Sequence, residues 1–162
     1  MHLIKIFLVV MFFLFGINAY SQDSTRISHI DSIVSSINKL NLQVYKNSST
    51  QKLRDSEINW TIYLTEVFDN GVLKKHQYKM SSLDHENGIY TPFLQSTTFY
   101  YDQNQLIKVE KSRLQFEKQS LLEWYFLDDK LLKDTGKDSS LANSFLSNAK
   151  EFLERAKWKE KK

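Results

Sequence analysis

Cysteine is absent from the 162 residues, so no disulfide framework and no thiol nucleophile can be built, and burial alone has to supply stability. Glycine is almost as scarce: Gly16, Gly71, Gly88 and Gly136 are scattered, which excludes a phosphate-cradling loop, and no Gly-x-Ser-x-Gly elbow occurs. Pro92 is the single proline. Charge of one sign is also lacking, since 22 basic and 19 acidic residues leave a formal net charge of +3, too balanced for a nucleic-acid partner. Aromatic residues, at 14% of the chain, are the one class in unusual supply.

Met1-His2-Leu3-Ile4-Lys5 supplies a short positive start, and Ile6 to Ile17 is an uncharged apolar run. A spanning helix needs about 20 apolar residues, and here Asn18, Tyr20, Ser21 and Gln22 follow at once. Ala19-Tyr20-Ser21 offers small residues at both key positions of a cleavage site. Residues 1–21 are therefore expected to be a secretory signal peptide, and 22–162 a single domain that is exported, periplasmic or secreted. With no Cys after the apolar run a lipid anchor is excluded, and nothing remains for stable membrane insertion after cleavage.

The middle of the chain repeats a phrase. Phe99-Tyr100-Tyr101-Asp102-Gln103-Asn104-Gln105-Leu106-Ile107-Lys108-Val109 resembles Val67-Phe68-Asp69-Asn70-Gly71-Val72-Leu73-Lys74 and, more loosely, Tyr125-Phe126-Leu127-Asp128-Asp129-Lys130-Leu131-Leu132-Lys133. Each reads as a β-hairpin, because β-favouring runs flank a polar turn whose Asn, Asp or Gly tolerates a left-handed backbone. In the first, a two-residue Asn70-Gly71 turn would set Leu64 beside Gln77. A three-residue Asp69-Asn70-Gly71 loop pairs Ile62 with Tyr78, Trp60 with Met80 and Glu66 with Lys74, keeps one face apolar and is the register predicted. By the same rule Phe99, Tyr101, Ile107 and Val109 share a face, and Thr98, Tyr100, Lys108 and Glu110 the other. A change of apolar parity before Leu114 predicts a bulge near Lys111 to Arg113, after which Leu114 and Phe116 face Trp124 and Leu122 across a turn at Lys118-Gln119-Ser120. Leu121 to Leu127, apolar on both faces except for Glu123, reads as a central strand.

Ile27, Ile30, Ile33, Val34, Ile37 and Leu40 recur at helical spacing, as do Leu141, Phe145, Leu146, Ala149, Phe152, Leu153 and Ala156 near the other end, where Asp138 or Ser139 would cap. Residues 41–57 have no period and read as a loop, and Ser81 to Pro92, with Asp84-His85-Glu86-Asn87-Gly88, reads as another. The fold expected is α+β: an antiparallel meander of five or six strands bracketed by an N-terminal and a C-terminal amphipathic helix packed on one face.

Chemistry-bearing residues are few. His29 lies beside the first helical stripe, His76 on an apolar strand face opposite Leu64, and His85 in the second loop. Asp84-His85-Glu86 points three ways from consecutive positions and makes no metal site; no catalytic residue, metal or cofactor is assigned. Glu66, Glu110 and Glu123 could meet on one sheet, although strand carboxylates facing lysines are more often solvated pairs. Tyr63 and Tyr100 fall on faces otherwise carrying Thr, Lys and Glu. With His76 they are the binding residues expected of a non-enzymatic domain that recognises a protein, peptide or glycan through an exposed sheet face. The alternative expectation is a small-molecule carrier or hydrolase with a pocket between sheet and helices near His76.

Overall fold

The computed structural model describes residues 23–39, 43–52, 59–86, 89–115, 118–136 and 138–159; the expected signal peptide lies outside them. Helix α1 covers residues 23–39. Seven strands follow: β1 (Gln43–Lys52), β2 (Asn59–Asp69), β3 (Val72–Glu86), β4 (Ile89–Asp102), β5 (Gln105–Gln115), β6 (Lys118–Leu127) and β7 (Lys130–Asp134). A 3-10 turn at Ser139–Leu141 leads into α2 (Ala142–Lys159). The strands form one antiparallel sheet in chain order, β1 to β7, so the fold is the expected α+β meander, with seven strands rather than five or six.

The three repeated phrases make three matching hairpins. Each closes through a two-residue turn with both central residues at positive φ: Asn70 (48°) and Gly71 (81°), Gln103 (48°) and Asn104 (62°), Asp128 (51°) and Asp129 (58°). Such a turn matches the right-handed strand twist and suits short polar residues that tolerate the left-handed region. The three-residue loop expected at Asp69 to Gly71 is therefore corrected, since Asp69 pairs with Val72.

A bulge just past each turn keeps the apolar face intact. Val67 pairs with Lys75 but Phe68 with Leu73, so Lys74 is the extra residue; Ile107 and Leu132 are its equivalents in β5 and β7. One inserted residue resets the alternation, sending Leu73, Leu106 and Leu131 to one face and the bulge lysines Lys75, Lys108 and Lys133 to the other. Ile62 accordingly meets Met80, Leu64 meets Tyr78, and Glu66 opposes His76 instead of Lys74. Lys74 lies 3.6 Å from Asp102. No register shift occurs at Lys111 to Arg113, where the bulge was expected; Leu114 pairs with Gln119, and Trp124 with Val109.

The helices take opposite faces, a second correction. Strand residues alternate between faces, and Phe99, Tyr101, Val109, Trp124 and Phe126 pack with Phe145, Ala149 and Ala156 of α2, whereas Tyr100 and Tyr125 pack with Ile30, Val34 and Ile37 of α1. The sheet is thus the middle of three layers. On the α2 side Phe145 sets its edge against Trp124 (4.9 Å between ring centres) and Phe99 (5.9 Å), while Ala142, Ala149 and Ala156 let the helix lie close. Asp138 makes no side-chain cap; its carbonyl instead accepts a hydrogen bond from Trp124 Nε1 (3.1 Å).

Both stretches expected to be loops hold strand among the described residues. Residues 43–52 of the stretch 41–57 form β1, and 81–86 and 89–92 belong to β3 and β4. Pro92 pairs with Leu83, while β4 joins β5 only from Leu94 onward. Among the described residues it therefore has a strand partner on one side only, the setting a strand proline tolerates.

Candidate functional site

Alternation and the second bulge together place Lys108 on the α1 face, between Tyr100 of β4 and Tyr125 of β6. It is only 4% exposed. A lysine this buried needs its charge answered, and Lys108 Nζ donates to Asp31 Oδ1 of α1 at 2.8 Å, to Glu123 at 2.7 Å and to Glu110 at 3.1 Å. The Nζ also stands 4.8 Å from the centre of the Tyr125 ring. Glu110 and Glu123 are direct cross-strand partners, so the ammonium separates two like charges that would otherwise face one another.

The tyrosines complete the network. Tyr125 OH donates to Asp31 (3.1 Å), and Tyr100 OH donates to Glu110 Oε2 (3.0 Å). Asn38 Nδ2 donates to Tyr100 OH (3.4 Å), while Asn38 Oδ1 accepts from Lys75 Nζ (2.8 Å). Burial is the main cause that raises both phenols, Tyr100 and Tyr125, to about 12. Burial also acts to lower Lys108, but hydrogen bonds to Asp31, Glu123, Tyr125 and Glu110 outweigh it and hold the ammonium well above the usual lysine range. Lys75, without such a cage, is pulled down by burial. An ammonium held this firmly cannot serve as a nucleophile or general base, and what the arrangement does is fasten α1 to the sheet.

His76 lies on the α2 side. Its ring stacks on Phe152 (3.8 Å between centres, planes 16° apart), and Nδ1 is 3.5 Å from Glu66 Oε1. Nearby, Tyr101 OH and Thr97 Oγ1 are buried with no hydrogen-bond partner among the described residues, and burial with the charge of Glu66 raises the Tyr101 phenol. His76 is packed ring on ring. A cleft of about 480 Å3 lies on the α1 side, where Ile27 and Asp31 of α1 face Leu132 of β7. Among the described residues no grouping of His, Asp and Glu could hold a metal ion, and no helix is long and apolar enough to cross a membrane.

The three expected binding residues are not brought together. Tyr100 is 3% exposed beneath α1, so the face it was expected to present to solvent is covered there, and His76 points to the opposite layer. Tyr63 alone is open, at 45%. It belongs to the end of the sheet that neither helix covers: Val44 (47%) and Tyr45 (49%) of β1 are exposed too, on opposite faces of that strand. Tyr45 sets its ring against the edge of Phe68 (5.5 Å). Of the carboxylates considered from sequence, Glu110 and Glu123 do meet, while Glu66 lies on the other face. Nothing in the sequence pattern marks Asp31, Tyr45 or Tyr125 as site residues. A signal for the lysine cage existed in the shared parity of Tyr100, Lys108 and Glu110. His29 is exposed on α1, and His85 lies within β3. Comparison with protein-family models, with curated proteins and with solved structures finds no match to this chain.

Proposed function

We propose that this chain is an exported, non-enzymatic binding domain that recognises a protein, peptide or glycan through the part of its sheet left bare by both helices. The observation that carries the reading is the β1–β2 end, where Val44, Tyr45 and Tyr63 are exposed among Thr, Ser, Asn and Lys side chains. Tyrosine gives a rigid apolar ring and a hydroxyl at small entropic cost, which suits recognition more than it suits an unneeded surface. The lysine cage supports the same reading, because its charged groups are spent on one another and the covered half of the sheet is left as scaffold. Export rests on the leading residues 1–21.

The full chain, immobilised and exposed to envelope and culture-medium extracts, should retain a partner that Tyr45→Ser and Tyr63→Ser each release. Equal retention by both variants sinks the reading. Export is tested separately: mass spectrometry of the chain recovered from its native source should find a mature form starting at Gln22, and a protein still carrying residues 1–21 removes that element.

A further inference from the structure

We infer that the outer edge of β1 accepts an extended, acidic segment of a partner protein as an eighth strand; the inference rests on the binding-domain reading and specifies its mode.

The two edges of the sheet differ. β7 is five residues long and its pairing with β6 shifts register, both features that blunt an edge. β1 is ten residues long and pairs with β2 from end to end without a shift, from Gln43 opposite Phe68 to Lys52 opposite Asn59. Its other side meets no strand among the described residues, and residues 44–49 are exposed throughout. A regular, unbulged strand of this length presents an alternating row of N–H and C=O groups, which is what an added strand needs.

Charge selects the occupant. β1 contains Lys46 and Lys52, no acid and no proline. Lys46 shares its face with Val44 and with Tyr63 of β2, and Lys79 of β3, paired with Tyr63, is exposed on that same face. A second copy of this chain pairing through β1 would gather four lysines, and pairing with β7 would meet Lys130 and Lys133 against the single acid Asp134, so this chain is poorly suited to be its own partner. Tyr45 is on the opposite face, with its ring on Phe68, and offers an apolar shelf. A strand laid beside β1 turns successive side chains to alternate faces, so the fitting segment carries acids at every second position, over Lys46, and apolar residues between them, over Tyr45.

The test uses a fluorescein-labelled, acetylated octapeptide of alternating Glu and Val, titrated with the full chain and read by anisotropy. It should bind, and protection of the amides of 43–52 against hydrogen exchange should rise. Lys46→Glu, at an exposed site that leaves folding intact by circular dichroism, should weaken binding by about fivefold. A Lys-Val octapeptide should not bind, and neither should a Glu-Val peptide N-methylated at every second residue, which cannot complete the ladder. No binding of the Glu-Val peptide, equal binding of either control, or a dimer through β1 in light scattering overturns the inference. Loss of the extract partner on Tyr45→Ser or Tyr63→Ser, with no peptide binding, would leave the binding-domain reading standing and remove edge pairing alone.

Discussion

Lys108 shows how much one side chain can decide. Its ammonium is shared by Asp31, Glu110 and Glu123, so its removal does more than delete three hydrogen bonds: it leaves three partly exposed carboxylates facing each other around an apolar side chain. Lys108→Met should therefore cost about 1–3 kcal/mol in urea unfolding. Adding Glu123→Gln should recover part of that loss, because the two positions are coupled through one charge. The tyrosines of the same network give a pH signature. Tyr100 and Tyr125 hold their protons up to about 12 when folded and release them near the ordinary value of 10.0 when unfolded. The folded state then binds more protons between those values, and its stability falls as pH rises through that window. Lys108, raised in the folded state, works in the same direction above its ordinary value of 10.5. In chemical unfolding at pH 10 to 12, Tyr100→Phe should flatten the decline by up to about 1.4 kcal/mol per pH unit, one proton's worth.

At the level of the element, the hairpin with its following bulge is the recurrent unit. The turn geometry is the same three times, yet the residues fit it unequally: Gln103 holds φ 48° with a long side chain, where Asn or Gly would adopt that conformation more cheaply. Replacing Gln103-Asn104 by Asn-Gly should stabilise the protein by about 1 kcal/mol, seen as a rise of a few degrees in Tm. Gly71→Val should do the reverse, since a β-branched residue at φ 81° is strained. The turn type was underestimated from sequence because a two-residue turn alone would have put Gln77 beside Leu64. The bulge at Lys74 removes that objection, and it leaves no mark of its own in the text.

Across the whole molecule, cover is uneven. β4, β5 and β6 lie between two helices and supply Phe99, Val109, Trp124 and Phe126, each fully buried, whereas residues 44–49 of β1 are exposed on both faces. Amide hydrogen exchange should follow that gradient, slowest in β4 to β6 and fastest in β1, with α1 intermediate because it is held by a narrow Ile and Val stripe and the Lys108 cage. Uniform protection across all seven strands would contradict the three-layer account. The run Trp124-Tyr125-Phe126, buried at all three positions, already asks for cover on both faces, so two helices on one side could not have satisfied it.

The sequence by itself determined what is local: two amphipathic ends, three hairpins, and the shared face of Thr98, Tyr100, Lys108 and Glu110, because turn chemistry and periodicity act between near neighbours. Tertiary structure alone decided which layer each face meets. Alternation says only that two residues point the same way, so Tyr100 could be read as open when α1 in fact lies over it. For the same reason β1 was illegible: with no helix above or below, selection for an apolar face is absent, and Gln43–Lys52 carries no pattern to read. That bare strand is where the proposed binding surface lies, and its place at the edge follows from the order in which all seven strands pair.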